Sequence, residues 1–168
     1  MHVIFRESHS LDQADTPQDL RQTPADLVVL SLSDSDLGAF ASGWRRAKTT
    51  VGADMPSLRL ANLVALKHPL SVDTYIDNTL HAARGILIRL IGGVPYWPYG
   101  LQCVAALARE KGIALAVLPA DGRQDTQLDE LSTLPISTLR RLGDLCATGG
   151  PVAAHAALAQ LALAAGLY

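Results

Sequence analysis

GILIRLIGGVPYWPYGLQCVAALAREKGIALAVLP, residues 85–119, holds two continuous apolar runs, Gly85–Ile91 and Ile113–Pro119, on either side of one helical period. Unbroken apolar runs of this length, with no polar alternation, are the pattern of strands buried on both faces. Between them, from about Tyr99 to Lys111, Leu101, Val104, Leu107 and Ala108 recur at helical spacing, and Gly112 supplies a stop. Strand, helix and strand in that order make a parallel crossover unit, and the rest of the chain is read outward from it.

Toward the N-terminus, His2–Phe5 and Asp26–Ser33 are further β-rich runs, and a weaker one begins at Ser57. After the second, Ser33 or Ser35 can cap a helix whose first turn carries Asp34 and Asp36, with Leu37, Phe40, Ala41 and Trp44 as its inward stripe. Another helix begins near Ser71 and turns Val72, Tyr75, Ile76 and Leu80 to one side. Toward the C-terminus, Ala120–Pro135 is polar and reads as a surface connection without a hydrophobic cluster. Ile136, Leu139, Leu142 and Cys146 mark an amphipathic helix, and Val152–Ala165 forms a last one, entered by Pro151. The fold expected is α/β, a Rossmann-like or flavodoxin-like parallel sheet of about five strands with helices on both faces. Residues 1–134 make the α/β domain and residues 135–168 a C-terminal helical extension leading toward further domains.

The last helix is unusual in carrying no formal charge from Val152 to Ala165, with only His155 and Gln160 polar. A helix apolar nearly all round expects burial on more than one side. Its outward side either meets a partner or further chain, or is a bland alanine surface.

Composition removes several classes of function. At 168 residues and 49% hydrophobic the chain can build one core without staples. Fourteen basic and sixteen acidic residues, net −2, leave no electrostatic footprint for nucleic acid or an anionic membrane. No run reaches the roughly 20 apolar residues a membrane span needs, and the N-terminus has no signal-like apolar region, so a cytoplasmic location is expected. Cys103 and Cys146 read as small core residues.

In an open α/β sheet, ligands bind outside the carboxyl ends of the strands. The segment Gly92–Gly100 follows the fourth strand and concentrates Tyr96, Trp97 and Tyr99 in a chain with 5% aromatics. Its prolines stiffen it, so the three rings either form a flat rim for a ligand or partner, or Trp97 folds back over the sheet end. Arg89, within an apolar strand, must pair with an internal carboxylate or face a polar ligand. The same edge receives Glu7 and His9 after the first strand, Asp34 and Asp36 after the second, Asn62 after the third and Asp121 after the fifth. No catalytic constellation, zinc spacing, GxGxxG or GxxxxGK[ST] loop is present. Nor does ESHSLD, Glu7–Asp12, match the DxHxxG arrangement of cobalamin-binding domains.

A family resemblance covers essentially the whole chain. ADLVVLSLSDSDLGAFASGW (Ala25–Trp44), MPSLRLANLVALKHPLSVDTYID (Met55–Asp77), RLIGGVPYWPYGLQ (Arg89–Gln102), LAVLPADGRQDTQLDELSTLP (Leu115–Pro135) and LAQLALAAGLY (Leu158–Tyr168) carry it. Together they resemble the N-terminal part of the CobN family, the large subunits of aerobic cobaltochelatase, which are similar to the porphyrin-binding subunit of magnesium chelatase. The resemblance implies ATP-dependent insertion of Co2+ into the corrin ring of hydrogenobyrinic acid a,c-diamide, with ATP and Mg2+ handled by separate AAA-type ATPase subunits. It also implies downstream domains of the same subunit as partners, and no cofactor, metal ligand or catalytic residue within this segment. A broad macrocycle edged with carboxylates and amides would suit Tyr96, Trp97, Tyr99 and Arg89, joined by Glu7, His9 and Asp34, as substrate contacts. Alternatively, the segment is a non-catalytic module that docks other chelatase domains or the ATPase subunits.

Overall fold

A computed structural model describes residues 3–6 and 16–167. Five strands run parallel: β1 (Val3–Arg6), β2 (Leu27–Ser31), β3 (Leu58–Asn62), β4 (Gly85–Leu90) and β5 (Ala114–Pro119). Their order across the sheet is β1-β3-β2-β4-β5. The register sets Leu27 beside both Leu58 and Gly85, and Ser31 beside both Asn62 and Arg89, so the polar strand ends line up in one row. The chain steps from β2 outward to β3, then crosses to β4 on the other side of β2. That reversal puts the topological switch point, the usual place for a ligand crevice, between β2 and β4.

Among the described residues, six α-helices cover the sheet: α1 (Asp34–Val51), α2 (Pro69–Asn78), α3 (Pro98–Lys111), α4 (Thr126–Leu131), α5 (Ile136–Thr148) and α6 (Gly150–Ala164). On one face, Val72, Tyr75, Leu101 and Val104 of α2 and α3 pack on Val28, Ile86, Ile88 and Leu115. On the other, α1, α5 and α6 bring Phe40, Trp44, Leu142 and Leu158 onto Val29, Leu60, Leu87 and Ala116. Strand residues therefore alternate between two apolar layers, which is why their sequences show no polar period. The α5 and α6 helices complete this second layer, so one core spans the 134/135 boundary drawn from the sequence.

Local chemistry explains most ends. Ser33 caps α1 by accepting from the Asp36 amide, and Gly112, at φ +68°, closes α3 in the left-handed conformation. The α2 helix starts two residues earlier than the sequence implied, because His68 Nδ1 accepts from the Leu70 amide and Pro69 fits the first turn.

The polar connection before α5 is corrected by the structure. Residues 120–135 are not merely a surface link, since Asp125 caps α4 and Leu128 of α4 is fully buried. Just beyond, Ser132 Oγ and Thr133 Oγ1 accept from the Val117 and Leu115 amides and so cover the outer edge of β5. A covered edge cannot recruit a foreign strand.

Residues 16–26 also gain a role that no periodicity announced. Gln22, 3% exposed, donates Nε2 to the Leu60 carbonyl at 2.9 Å and accepts from Tyr75 Oη at 2.6 Å. Its carbonyl accepts from Thr79 Oγ1 at 2.6 Å. Burial pushes the Tyr75 phenol well above its usual value, so the phenol remains a donor at neutral pH. This network ties the segment before β2 across the α2 side of the sheet.

Helices α1 and α6 cross at Gly43. A Cβ there would lie 2.8 Å from the His155 nitrogen and 2.8 Å from the Pro151 oxygen, both backbone atoms that cannot rotate aside. Gly43→Ala is expected to cost about 1–3 kcal/mol, as overpacking does. An unchanged urea midpoint would show that the two helices separate without penalty.

Candidate functional site

The carboxyl edge of the central strands carries a joined set of polar side chains. Asp36, in the first turn of α1, accepts from Ser31 Oγ at 2.9 Å and from Arg89 NH1 at 2.8 Å through each of its oxygens. Side-chain exposure is only 12% for Arg89 and 17% for Asp36, so this ion pair is largely desolvated. Next to it, Asn62 Nδ2 donates to Asp34 Oδ1 at 2.9 Å and to the Leu32 carbonyl at 3.2 Å. Asn62 Oδ1 accepts in turn from the Val64 amide. The switch-point crevice is thus occupied by the protein's own polar groups.

Arg89 accordingly takes an internal carboxylate, one of the two roles open to it. Its Nε is buried and without a hydrogen-bond partner among the described residues. Cys146 of α5 lies near the pair, and burial pushes its thiol up to about 11, which makes it a packing residue rather than a nucleophile at neutral pH.

The aromatic segment does not form one rim. Trp97 is 2% exposed and donates Nε1 to the Leu66 carbonyl at 2.8 Å, so the ring is a cover for the sheet end and is withdrawn from ligand stacking. Tyr96 is half-buried beneath Lys67, whose Nζ sits 3.4 Å from the ring centroid and also donates to the Tyr96 carbonyl. Burial raises the Tyr96 phenol and lowers the Lys67 ammonium from their ordinary values. Tyr99, 39% exposed, donates Oη to Asp73 Oδ1 at 2.6 Å on the α2 side, and that bond holds its phenol well above its usual value.

Arg89 faces the opposite layer, toward α1 and α5. The seven substrate contacts expected from the sequence are therefore not gathered. Asp34 is spent on Asn62, Trp97 is buried, Tyr99 and Arg89 are on different sides, and Glu7 and His9 lie outside the described residues.

Beyond Arg89, the same edge opens into a cavity of about 130 Å³ between β5 and α5. Leu118, Leu139 and Gly143 form its walls, and Arg123 and Arg140 stand with Arg89 around it. A second cleft of about 290 Å³ runs past Pro119 and Arg123 to Gly92, Gly93 and Asp125. Arg140 is held by Asp129 of α4 through two parallel bonds, NH1 to Oδ1 at 3.0 Å and NH2 to Oδ2 at 2.6 Å. No sequence signal named Arg123, Arg140 or Asp129, because their grouping depends on α4 turning back over β5.

The Arg140 guanidinium holds the Asp129 carboxyl below its usual value. A depressed folded-state value contributes stability above the unfolded pKa of about 3.9, lost as pH falls through the folded value. Acid unfolding of the protein is expected to be steeper than that of Arg140→Ala, which has lost this contribution at neutral pH already. Coincident profiles below about pH 4 would remove the pair from the acid response.

Among the described residues, no group of three or more histidine, cysteine, aspartate or glutamate side chains is placed to hold a metal ion, and no helix is long and apolar enough to cross a membrane.

Comparison with known proteins gives one consistent direction. No protein-family model matches the chain. The aerobic cobaltochelatase subunit CobN of Pseudomonas aeruginosa is 39% identical over 150 residues, 89% of this chain. The subunit of the same name from Sinorhizobium sp is 35% identical over the same share. The chain spans only 12% and 11% of the length of these relatives. Among solved structures, the catalytic subunit of cobaltochelatase from Mycobacterium tuberculosis superposes with a TM-score of 0.62 over 81% of this chain and 10% of that one. At 24% identity, that superposition establishes the fold.

Proposed function

We propose that this chain is an α/β segment of an aerobic cobaltochelatase large subunit, taking part in ATP-dependent insertion of Co2+ into hydrogenobyrinic acid a,c-diamide on the aerobic route to cobalamin. The observation that carries this reading is 39% identity to the Pseudomonas aeruginosa subunit sustained over 89% of the chain. A parallel sheet with its switch point between β2 and β4 supports it, as the same fold is built into a cobaltochelatase catalytic subunit. In this reading Co2+ is substrate, the ATPase subunits are partners, and the metal-handling groups are supplied by the rest of the large subunit.

The experiment is a transplant. This chain would replace the matching segment of the Pseudomonas aeruginosa subunit, and cobalt insertion by the reconstituted complex would be followed with ATP and the diamide present. Activity within about tenfold of the parent is expected. A folded, assembled chimera with no turnover would overturn the reading.

A second role within the same complex, docking of neighbouring domains, has its own support. The outward strip of α6 leaves Val152 67% and Leu163 59% exposed, and Ile136 at the start of α5 is 60% exposed. Apolar side chains this open, on a helix without formal charge, suit a protein contact. Val152→Asp with Leu163→Asp in the chimera is expected to weaken subunit assembly while the fold persists. Unchanged assembly would remove the docking role.

A further inference from the structure

We propose that the cavity between β5 and α5 is a binding site for a short aliphatic carboxylic-acid arm. It stands on geometry and charge, independently of the chelatase reading.

Size and lining come first. About 130 Å³ is room for roughly four waters at about 30 Å³ each, which is the scale of two methylenes and a carboxylate. Leu118, Leu139 and Pro119 offer apolar contact to the methylenes, and Arg123 offers a planar, forked donor to the two oxygens, beside the guanidinium groups of Arg89 and Arg140 that Asp36 and Asp129 hold in place.

Charge then selects among anions. Asp36 neutralises Arg89, and Asp129 neutralises Arg140. These pairs aim the two guanidinium groups without leaving surplus charge. Arg123 remains as the exposed cation of the lining, and Asp144 is an exposed carboxylate of the same lining. A lining with at most one uncompensated positive charge suits a monoanion and disfavours a phosphate dianion. Arg89, a lining residue, also carries a buried donor, Nε, with no acceptor among the described residues. Buried donors normally find a partner, and a shift of the Arg89 side chain toward a bound carboxylate would supply one.

The location fits ligand binding as well. The cavity opens on the carboxyl edge next to the switch point, where open α/β sheets bind their ligands. Its far wall is Gly143 of α5, where an added Cβ would meet nothing within 4 Å.

Sodium propionate, phosphate and 1-propanol would be titrated into the 168-residue chain, with the amide signals of Gly122 and Gly143 followed by NMR. Propionate is expected to give saturable shifts with a Kd of roughly 1 mM, within the ceiling for five non-hydrogen atoms. Phosphate and propanol are expected to bind at least about tenfold more weakly, since one lacks the methylenes and the other the charge.

Gly143→Leu fills the cavity from a helical position with free space and is expected to abolish the shifts. Arg123→Ala, at an exposed loop position, is expected to weaken propionate about tenfold. No saturable shift with propionate, or an unchanged Kd in Gly143→Leu, would overturn the proposal. Competition between propionate and hydrogenobyrinic acid a,c-diamide identifies the bearer of the arm. Displacement assigns it to the macrocycle, and no displacement assigns the site to a free short-chain acid. The carboxylate site stands in both cases, whereas the chelatase reading is judged separately by the transplant.

Discussion

Trp97→Ala is expected to lower the stability of the fold by about 3–5 kcal/mol, the largest effect of any single substitution considered in the aromatic segment. Three contributions converge. The indole is 2% exposed and packs with Leu66, Leu90 and Leu101 in the α2/α3 layer, so its removal opens a large cavity at the sheet end. The Leu66 carbonyl loses the 2.8 Å bond from Nε1 and is left buried without that partner. Gly100 makes the site specific to this ring, since a Cβ there would lie 2.0 Å from the indole.

Gly100→Ala should therefore mimic part of the loss by expelling the ring, while Tyr99→Ala, at an exposed position, should leave stability nearly unchanged. Urea unfolding followed by far-ultraviolet ellipticity checks all three. Equal midpoints for Trp97→Ala and Tyr99→Ala would mean that the indole is not the cover described here.

Asp36→Ala is expected to cost about 3 kcal/mol, the lower end of the range for breaking a buried ion pair by deleting one partner. The loss arises less from the missing attraction than from the stranded Arg89, which would remain in an apolar strand with 12% exposure. Ser31 Oγ, on a residue with no exposure at all, loses its acceptor in the same step.

This explanation separates itself from a general effect on α1 by a double substitution. Asp36→Leu combined with Arg89→Met removes both charges, and is expected to recover most of the lost stability. A double variant as unstable as Asp36→Ala would show that the carboxylate matters through Ser31 and the first turn of α1.

Several features were legible without coordinates because they are written in neighbouring residues. The unbroken run of Gly85–Leu90 and the helical period of Leu101, Val104, Leu107 and Ala108 both report burial at short range, and both became what they implied. Ser33 as cap and Gly112 as stop follow from hydrogen bonding and φ within a few residues. Arg89 could be singled out as a charge in an apolar strand that pairs with an internal carboxylate or faces a polar ligand, but nothing local named that carboxylate.

Other features had no such local mark. Leu128, Leu131 and Leu134 are spread through a polar stretch, and only the docking of Leu128 beside Val117 and Leu115 reveals α4 as part of the core. Gln22 looks like a linker residue until Leu60, Tyr75 and Thr79 surround it.

Sequence alone determined the parallel α/β class, the order of the strands and of every helix but α4, and the resemblance to cobaltochelatase large subunits, since periodicity, caps and residue identity are properties of short stretches. Tertiary structure alone decided that Trp97 points inward, that Asp36 rather than Asp34 receives Arg89 across 53 positions, and that Arg123 and Arg140 meet over one cavity. The reason is physical. An aromatic ring or a buried charge is placed by whichever distant groups satisfy it at least desolvation, and those groups are brought within reach only when the sheet and its two helical layers have closed.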